Sequence, residues 1–210
     1  MKIAALVFER ITALDVVGPY EVLSRLPGAE VIFVGPSAGP VSTDNGFLRL
    51  VADASIDEVV SADLLLVPGG RGTRTLVDDA KVVDWVRAVD ETTTYTTSVC
   101  TGSLVLGAAG LLEGKRATTH WSMMERLADY GAIPTDARVV DEGRIVTAAG
   151  VSSGIDMALA LAARIAGPEV AQAIQLGIEY DPQPPFDAGS VHKAPPAILA
   201  GVRAMLAGRG

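Results

Sequence analysis

The chain is poor in the residues that build staples and metal cages: among its 210 residues there is one cysteine, Cys100, and two histidines, His120 and His192. A lone cysteine excludes an intrachain disulfide, which fits a reducing compartment and leads us to expect a cytoplasmic protein. With no CxxC, HxxxH or paired-ligand spacing, a metal site is not expected. Positive charge is scarce too. Lys and Arg number 17 against 25 Asp and Glu, a net charge of −8, and no basic run concentrates what there is. Nucleic acid and anionic membrane surfaces are therefore poor candidate partners, and a small molecule or a second subunit is the better one. No stretch reaches the roughly 18 consecutive apolar residues of a membrane span. Met1 to Phe8 lacks the charged, apolar and small-residue order of an export signal.

What the chain does have is apolar substance: 49% hydrophobic residues against 20% charged, ample for one large core. Short apolar runs alternate with longer stretches of helical period, the pattern of a mostly parallel sheet covered on both faces. Strands are expected at Ile3–Phe8, Val31–Val34, Leu64–Val67, Tyr95–Val99 and Arg116–Thr119. Arg138–Ala148 reads as a strand pair around Asp141-Glu142-Gly143. Pro40–Ala54, interrupted by Asp44-Asn45-Gly46, reads as a hairpin with a tight type I′ turn. Helices are expected after Asp15, with Pro19 tolerable only in a first turn, and around Leu76–Val89, Ser122–Tyr130, Ile155–Ile165 and after Gly167-Pro168. No linker divides residues 1–210, so a single domain is expected, with a proline-rich arm at 181–196 before a final short helix. Tyr180 and Phe186 are odd for a free linker, so the arm is expected to be ordered with Phe186 buried.

Chemistry concentrates at Cys100. It lies between a β-branched strand and a run of small residues and leucines, a strand–turn–helix arrangement that brings helix-terminal N–H groups to a sulfur. That placement predicts a thiol pKa below the ordinary value. Free cysteine is often only a small buried hydrophobe, but Ser98, Thr101 and Gly102 flank this one, at a strand end where open α/β sheets hold ligands. Asp15 is by spacing equally a helix N-cap or an acid. Gly69 and Gly70 are equally a bare turn or an anion-stabilising nest of N–H groups. Glu21 reads as a surface carboxylate, His192 as exposed, Trp121 as core, and His120 as a structural neighbour rather than a base.

Several segments occur in an order that resembles the DJ-1/PfpI superfamily, and within it the isonitrile (isocyanide) hydratases: Leu14 to Pro19, Val67-Pro68-Gly69-Gly70, Ser98 to Ser103, Gly114 to Trp121, Gly150 to Asp156 and Pro184 to Ser190. The resemblance implies a flavodoxin-like (class I glutamine amidotransferase-like) three-layer α/β sandwich, a nucleophile elbow at Cys100 and a homodimer. It also implies Asp15 as the acidic partner of Cys100, Thr101 acting through its hydroxyl and N–H, and Gly150 and Val151 near the sulfur, which with the candidate nest at Gly70 would make up the substrate-binding groups. The implied reaction needs no cofactor: the sulfur attacks an isonitrile, Asp15 supplies the proton, and water releases an N-substituted formamide from a thioimidate. A redox-responsive DJ-1-like protein, a ligand-binding module related to the AraC-type regulators, and a cysteine amidase or peptidase are the competing expectations. The protease-like members carry His directly after the nucleophile, where this chain has Thr101.

Overall fold

The computed structural model describes residues 1–207, which form two compact units, Met1–Ile178 and Glu179 onward. In the first unit the elements follow in the order β1 (Lys2–Leu6), α1 (Ala13–Leu23), β2 (Glu30–Gly35), β3 (Gly39–Ser42), β4 (Arg49–Ala52), β5 (Ala54–Ser55), β6 (Leu64–Val67), α2 (Thr73–Leu76), α3 (Ala80–Asp90), β7 (Tyr95–Val99), α4 (Gly102–Ala108), β8 (Arg116–Ala117), a 3-10 segment (Trp121–Tyr130), β9 (Ile133–Pro134), β10 (Val139–Glu142), β11 (Ile145–Ala148), α5 (Ser153–Ala166) and α6 (Pro168–Gly177). The second unit has no regular element over 181–195 and then α7 (Pro196–Ala207).

A seven-stranded sheet runs β10-β11-β7-β6-β1-β2-β5, parallel throughout except for the β10–β11 pair. This is the mostly parallel, doubly covered sheet of the flavodoxin-like sandwich. The order reverses at β1: the chain steps outward to β2 and returns to β6 on the other side. Crevices form at the carboxyl ends of strands beside such a reversal. The central strands explain why the sheet forms there. In β1 every residue from Ile3 to Leu6 is buried, and so is all of β6. Each fully buried Leu or Ile contributes about 1.5–3 kcal/mol of transfer free energy. In β7 the polar run Thr96-Thr97-Ser98 is also fully buried, with Thr97 Oγ1 donating to the Leu65 carbonyl at 2.9 Å and Thr96 Oγ1 2.8 Å from Thr93 Oγ1. Ser98 Oγ has no partner among the described residues.

The differences from expectation have physical causes. Thr12, not Asp15, is the N-cap of α1, so Asp15 belongs to the first helical turn and is fully buried. Pro19 sits inside that helix rather than in its first turn, where it removes the N–H that Asp15's carbonyl would accept. It is retained because it packs on α5: a Cβ built on Gly154 would stand 3.0 Å from Pro19 Cγ. The β3–β4 hairpin has a six-residue loop closed by Thr43 N–H to the Leu48 carbonyl at 3.0 Å, not a two-residue turn. Trp121–Tyr130 is 3-10 rather than α, and Trp121 is only half-buried. Phe186 is 79% exposed rather than buried. No helix of the described residues is long and apolar enough to cross a membrane.

Candidate active site

Four strand ends converge on one place: the loop into α1 after β1, Pro68-Gly69-Gly70 after β6, Cys100 after β7, and Gly150-Val151 after β11. Cys100 takes φ +55°, in the left-handed region, the sharp turn that lets a strand feed a helix with the side chain at its tip. A non-glycine residue there costs about 1–3 kcal/mol and persists only where its surroundings fix it. Here they do. The Cys100 N–H donates to the carbonyls of Ala148 (3.1 Å) and Ala149 (2.9 Å), and its carbonyl accepts the hydroxyls of Thr119 (2.9 Å) and Ser103 (3.2 Å). Gly102 is required by the same turn, since a Cβ on it would lie 2.0 Å from the Val67 carbonyl oxygen.

Asp15 faces this sulfur from α1. Its Oδ2 accepts the Gly69 N–H at 3.0 Å, while Oδ1 has no partner among the described residues. Burial is the largest influence on this carboxyl and raises its pKa from 3.8 to about 7, against the lowering effects of the Gly69 N–H and the nearby Cys100 thiol. The thiol is also pushed up, first by burial and then by the neighbouring Asp15 charge, while the N–H groups of Thr101 and Val151 pull it down. The expected low thiol pKa is therefore overturned: the N–H groups are present, but burial beside a carboxylate outweighs them. The result is a buried carboxyl–thiol pair in which desolvation disfavours charge on both groups.

The two glycines after β6 are not a free nest. Gly69 spends its N–H on Asp15, and Gly70 spends its own on Thr101 Oγ1 at 3.0 Å. Thr101 Oγ1 also lies 3.0 Å from Thr73 Oγ1 and 3.3 Å from the Gly70 carbonyl, so its hydroxyl is held against the turn. Both glycines have a steric reason to be there. A Cβ on Gly69 would stand 2.5 Å from Thr101 N and 2.8 Å from Asp15 Oδ2, and Gly70 sits at φ +135° with Thr12 N 2.5 Å from a Cβ. The turn acts as a clasp joining Asp15 to Thr101. The donors left to the sulfur are Thr101 N–H and Val151 N–H, the latter on a residue at φ +28°.

Gly150, expected near substrate, lies beneath His120: a Cβ there would be 2.8 Å from His120 Cδ2. The His120 Nδ1 accepts the Ser122 N–H at 3.3 Å and lies 2.7 Å from Ser122 Oγ, which leaves the ring proton on Nε2; burial lowers its pKa, so the ring is neutral. Glu21 pairs with Arg25 at the surface at 2.7 Å, and His192 is exposed. No group of three or more His, Cys, Asp or Glu side chains among the described residues is placed to hold a metal ion. Thr73, Ser103 and Thr119 were missed by sequence reasoning, since a hydroxyl that holds a carbonyl from another element has no signature in spacing.

The chain is 45% identical over 199 residues to the isonitrile hydratase of Pseudomonas putida, covering 95% of this chain and 87% of that protein. It is 33% identical over 135 residues to an HTH-type transcriptional regulator of Pseudomonas aeruginosa, 63% of this chain but 40% of the regulator. A crystal structure of a THiJ/PfpI family protein from Pseudomonas syringae superposes with a TM-score of 0.95 at 41% identity, over 98% of this chain and 86% of that one. The model of the DJ-1/PfpI family matches residues 1–164, and with its elbow cysteine and parallel sheet this chain belongs to that family.

Proposed function

We propose that the protein hydrates isonitriles to N-substituted formamides through Cys100, with Asp15 moving the proton. The observation that carries this is the buried Asp15–Cys100 pair, an acid whose pKa is raised to about 7 set beside a thiol, which suits the proton transfer that addition to an isonitrile needs. The terminal carbon of an isonitrile accepts both a nucleophile and a proton. Asp15 as carboxylate takes the thiol proton, the sulfur electron pair forms the C–S bond, and Asp15 returns that proton to the same carbon, giving R–N=CH–S–Cys100. A free thiolate need not accumulate at any stage. Water then adds to the thioimidate carbon: Asp15 removes one water proton as the C–O bond forms, and the C=N electron pair moves to nitrogen, which takes the proton. Collapse forms the C=O bond and breaks the C–S bond. The hydroxyl proton leaves as the sulfur regains its own through Asp15. One water is consumed and no electrons are exchanged with an outside carrier, so no cofactor enters.

Gly69 and Thr101 hold the two partners at a fixed spacing, since Asp15 and Thr101 are tied to successive residues of one turn. The 45% identity to an isonitrile hydratase over nearly the whole chain supports the same reading. His120 does not act as a base for Cys100, since its ring lies against Gly150 and its Nδ1 against Ser122; this disfavours an amidase or peptidase. The working form is a cytoplasmic homodimer. Exposed apolar groups support a second copy: α7 buries none of its side chains, and Leu176, Phe186, Ile198 and Met205 are exposed. The test is incubation with simple aliphatic and aromatic isonitriles, following formamide absorbance, beside Cys100→Ala. Wild-type turnover that the variant lacks is expected. Absence of turnover across both substrate types overturns the assignment.

A further inference from the structure

The dipeptide Thr119–His120, between β8 and the 3-10 segment, has no part in the proton transfers above, yet both of its side chains point at groups that fix Cys100. Thr119 is fully buried, and its hydroxyl donates to the Cys100 carbonyl at 2.9 Å. Burial of a hydroxyl without a partner is costly, so this bond is the reason a polar residue is kept there. The Cys100 N–H is already held by Ala148 and Ala149, so Thr119, with Ser103, fixes the other end of the strained residue. The next side chain, His120, lies with its ring edge against Gly150 so closely that a Cβ would be 2.8 Å from Cδ2. Gly150 precedes Val151, whose N–H faces the sulfur from a left-handed backbone at φ +28°. The ring is itself anchored through Ser122.

We propose that Thr119 and His120 are positioning residues for Cys100, Thr119 by holding the carbonyl of the elbow and His120 by holding Gly150 so that the Val151 N–H stays on the sulfur. The inference deepens the hydratase reading, but its effect on the thiol is measurable without any isonitrile. Neither side chain touches the reacting atoms. Small displacements of a nucleophile are expensive in rate: about an ångström of misplacement can cost about a hundredfold.

Two pairs of variants and a companion variant test it. Thr119→Val keeps the β-branched shape and loses the donor, whereas Thr119→Ser keeps the donor. His120→Ala removes the ring, whereas His120→Phe keeps a ring on Gly150 without the imidazole nitrogens. Ser103→Ala removes the second donor to the same carbonyl and serves if Thr119→Val folds poorly. Iodoacetamide alkylation of Cys100 against pH is read for each, with kcat and KM for an alkyl isonitrile alongside. Thr119→Val and His120→Ala should slow alkylation at neutral pH and lower kcat by about tenfold or more with little change in KM. Thr119→Ser and His120→Phe should restore most of both. Alkylation at the wild-type rate in Thr119→Val, Ser103→Ala and His120→Ala overturns the inference. So does equal loss in His120→Phe and His120→Ala together with the disappearance of one limb of the pH profile, which would make the imidazole a proton carrier. Failure of the wild type to turn over any isonitrile would sink the hydratase reading alone, since the alkylation rates would still decide whether the dipeptide positions the thiol.

Discussion

Asp15→Asn should make the protein more stable at neutral pH while removing its activity. The carboxyl is fully buried, and burial raises its pKa from 3.8 to about 7. A group whose folded pKa lies above its unfolded value favours folding most below the unfolded pKa, and that advantage is lost as pH rises through the folded one. For Asp15 the loss begins near pH 4 and is complete above about pH 7. At about 1.36 kcal/mol per pH unit, the interval between 3.8 and about 7 corresponds to an order of 4 kcal/mol. Asparagine carries no charge to bury, and its oxygen can still accept the Gly69 N–H that Asp15 Oδ2 accepts now. Its amide group takes the place of Oδ1, which has no partner among the described residues, and an unpaired buried amide costs about 1–3 kcal/mol. A net gain of about 1–3 kcal/mol at pH 8 remains. Urea unfolding at pH 5 and pH 8 on both proteins reads it as a difference, so that other carboxylates cancel. The variant's advantage should be small at pH 5 and grow toward pH 8. A variant less stable than wild type at pH 8, or a difference independent of pH, would refute the linkage and return Asp15 to a purely structural role.

The Cys100 thiol should alkylate with an inflection above the ordinary value near 8.5, and Asp15→Asn should move that inflection down, because the Asp15 charge is the largest influence raising it after burial; an unmoved inflection would mean the two groups are not coupled. Hydration should decline on the acid side with a limb near pH 7, where Asp15 loses the carboxylate that accepts the thiol proton, and a profile flat from pH 5 to 8 would exclude that role. At the opposite end of the sheet, Asp90, 4% exposed, receives both terminal nitrogens of Arg144 at 2.9 and 2.6 Å. Because Arg144 itself is 44% exposed, solvent can take up its charge, and Asp90→Ala should cost about 2 kcal/mol in urea unfolding rather than the 3–5 of a fully buried pair. A cost below about 0.5 kcal/mol would make it an ordinary surface pair.

The position of the nucleophile was legible in the sequence because two local signals coincide: a β-branched strand before Cys100 and a helix of small residues after it. The Gly69-Gly70 turn was legible for the same reason, since glycines after an apolar run mark close approach. Their use was not. That both N–H groups are spent on Asp15 and Thr101 depends on α1 and α4 meeting over the turn, which no window of sequence contains. Asp15 resembled a cap because Asp is a preferred capping residue, and the neighbouring Thr12 takes that position instead. The thiol was misjudged in direction because its N–H donors are local while the burial and the carboxylate that outweigh them are tertiary. Pro19 is a further case: propensity argues against it inside α1, and its close packing against Gly154 of α5 is a tertiary contact that no local window contains.

The central claim is that Cys100 adds the whole isonitrile with help from Asp15, and intact-mass measurement after rapid acid quench tests it most directly. Mixing enzyme with an alkyl isonitrile in single-turnover amounts should give a transient species heavier by the full mass of the isonitrile, because addition at its carbon expels nothing. The added mass should map to Cys100 and be absent in Cys100→Ala. Asp15→Asn should form it more slowly by about a hundredfold or more, the lower range for lost acid–base assistance. Formamide production by Cys100→Ala, or wild-type turnover with no adduct at any quench time, would contradict the account.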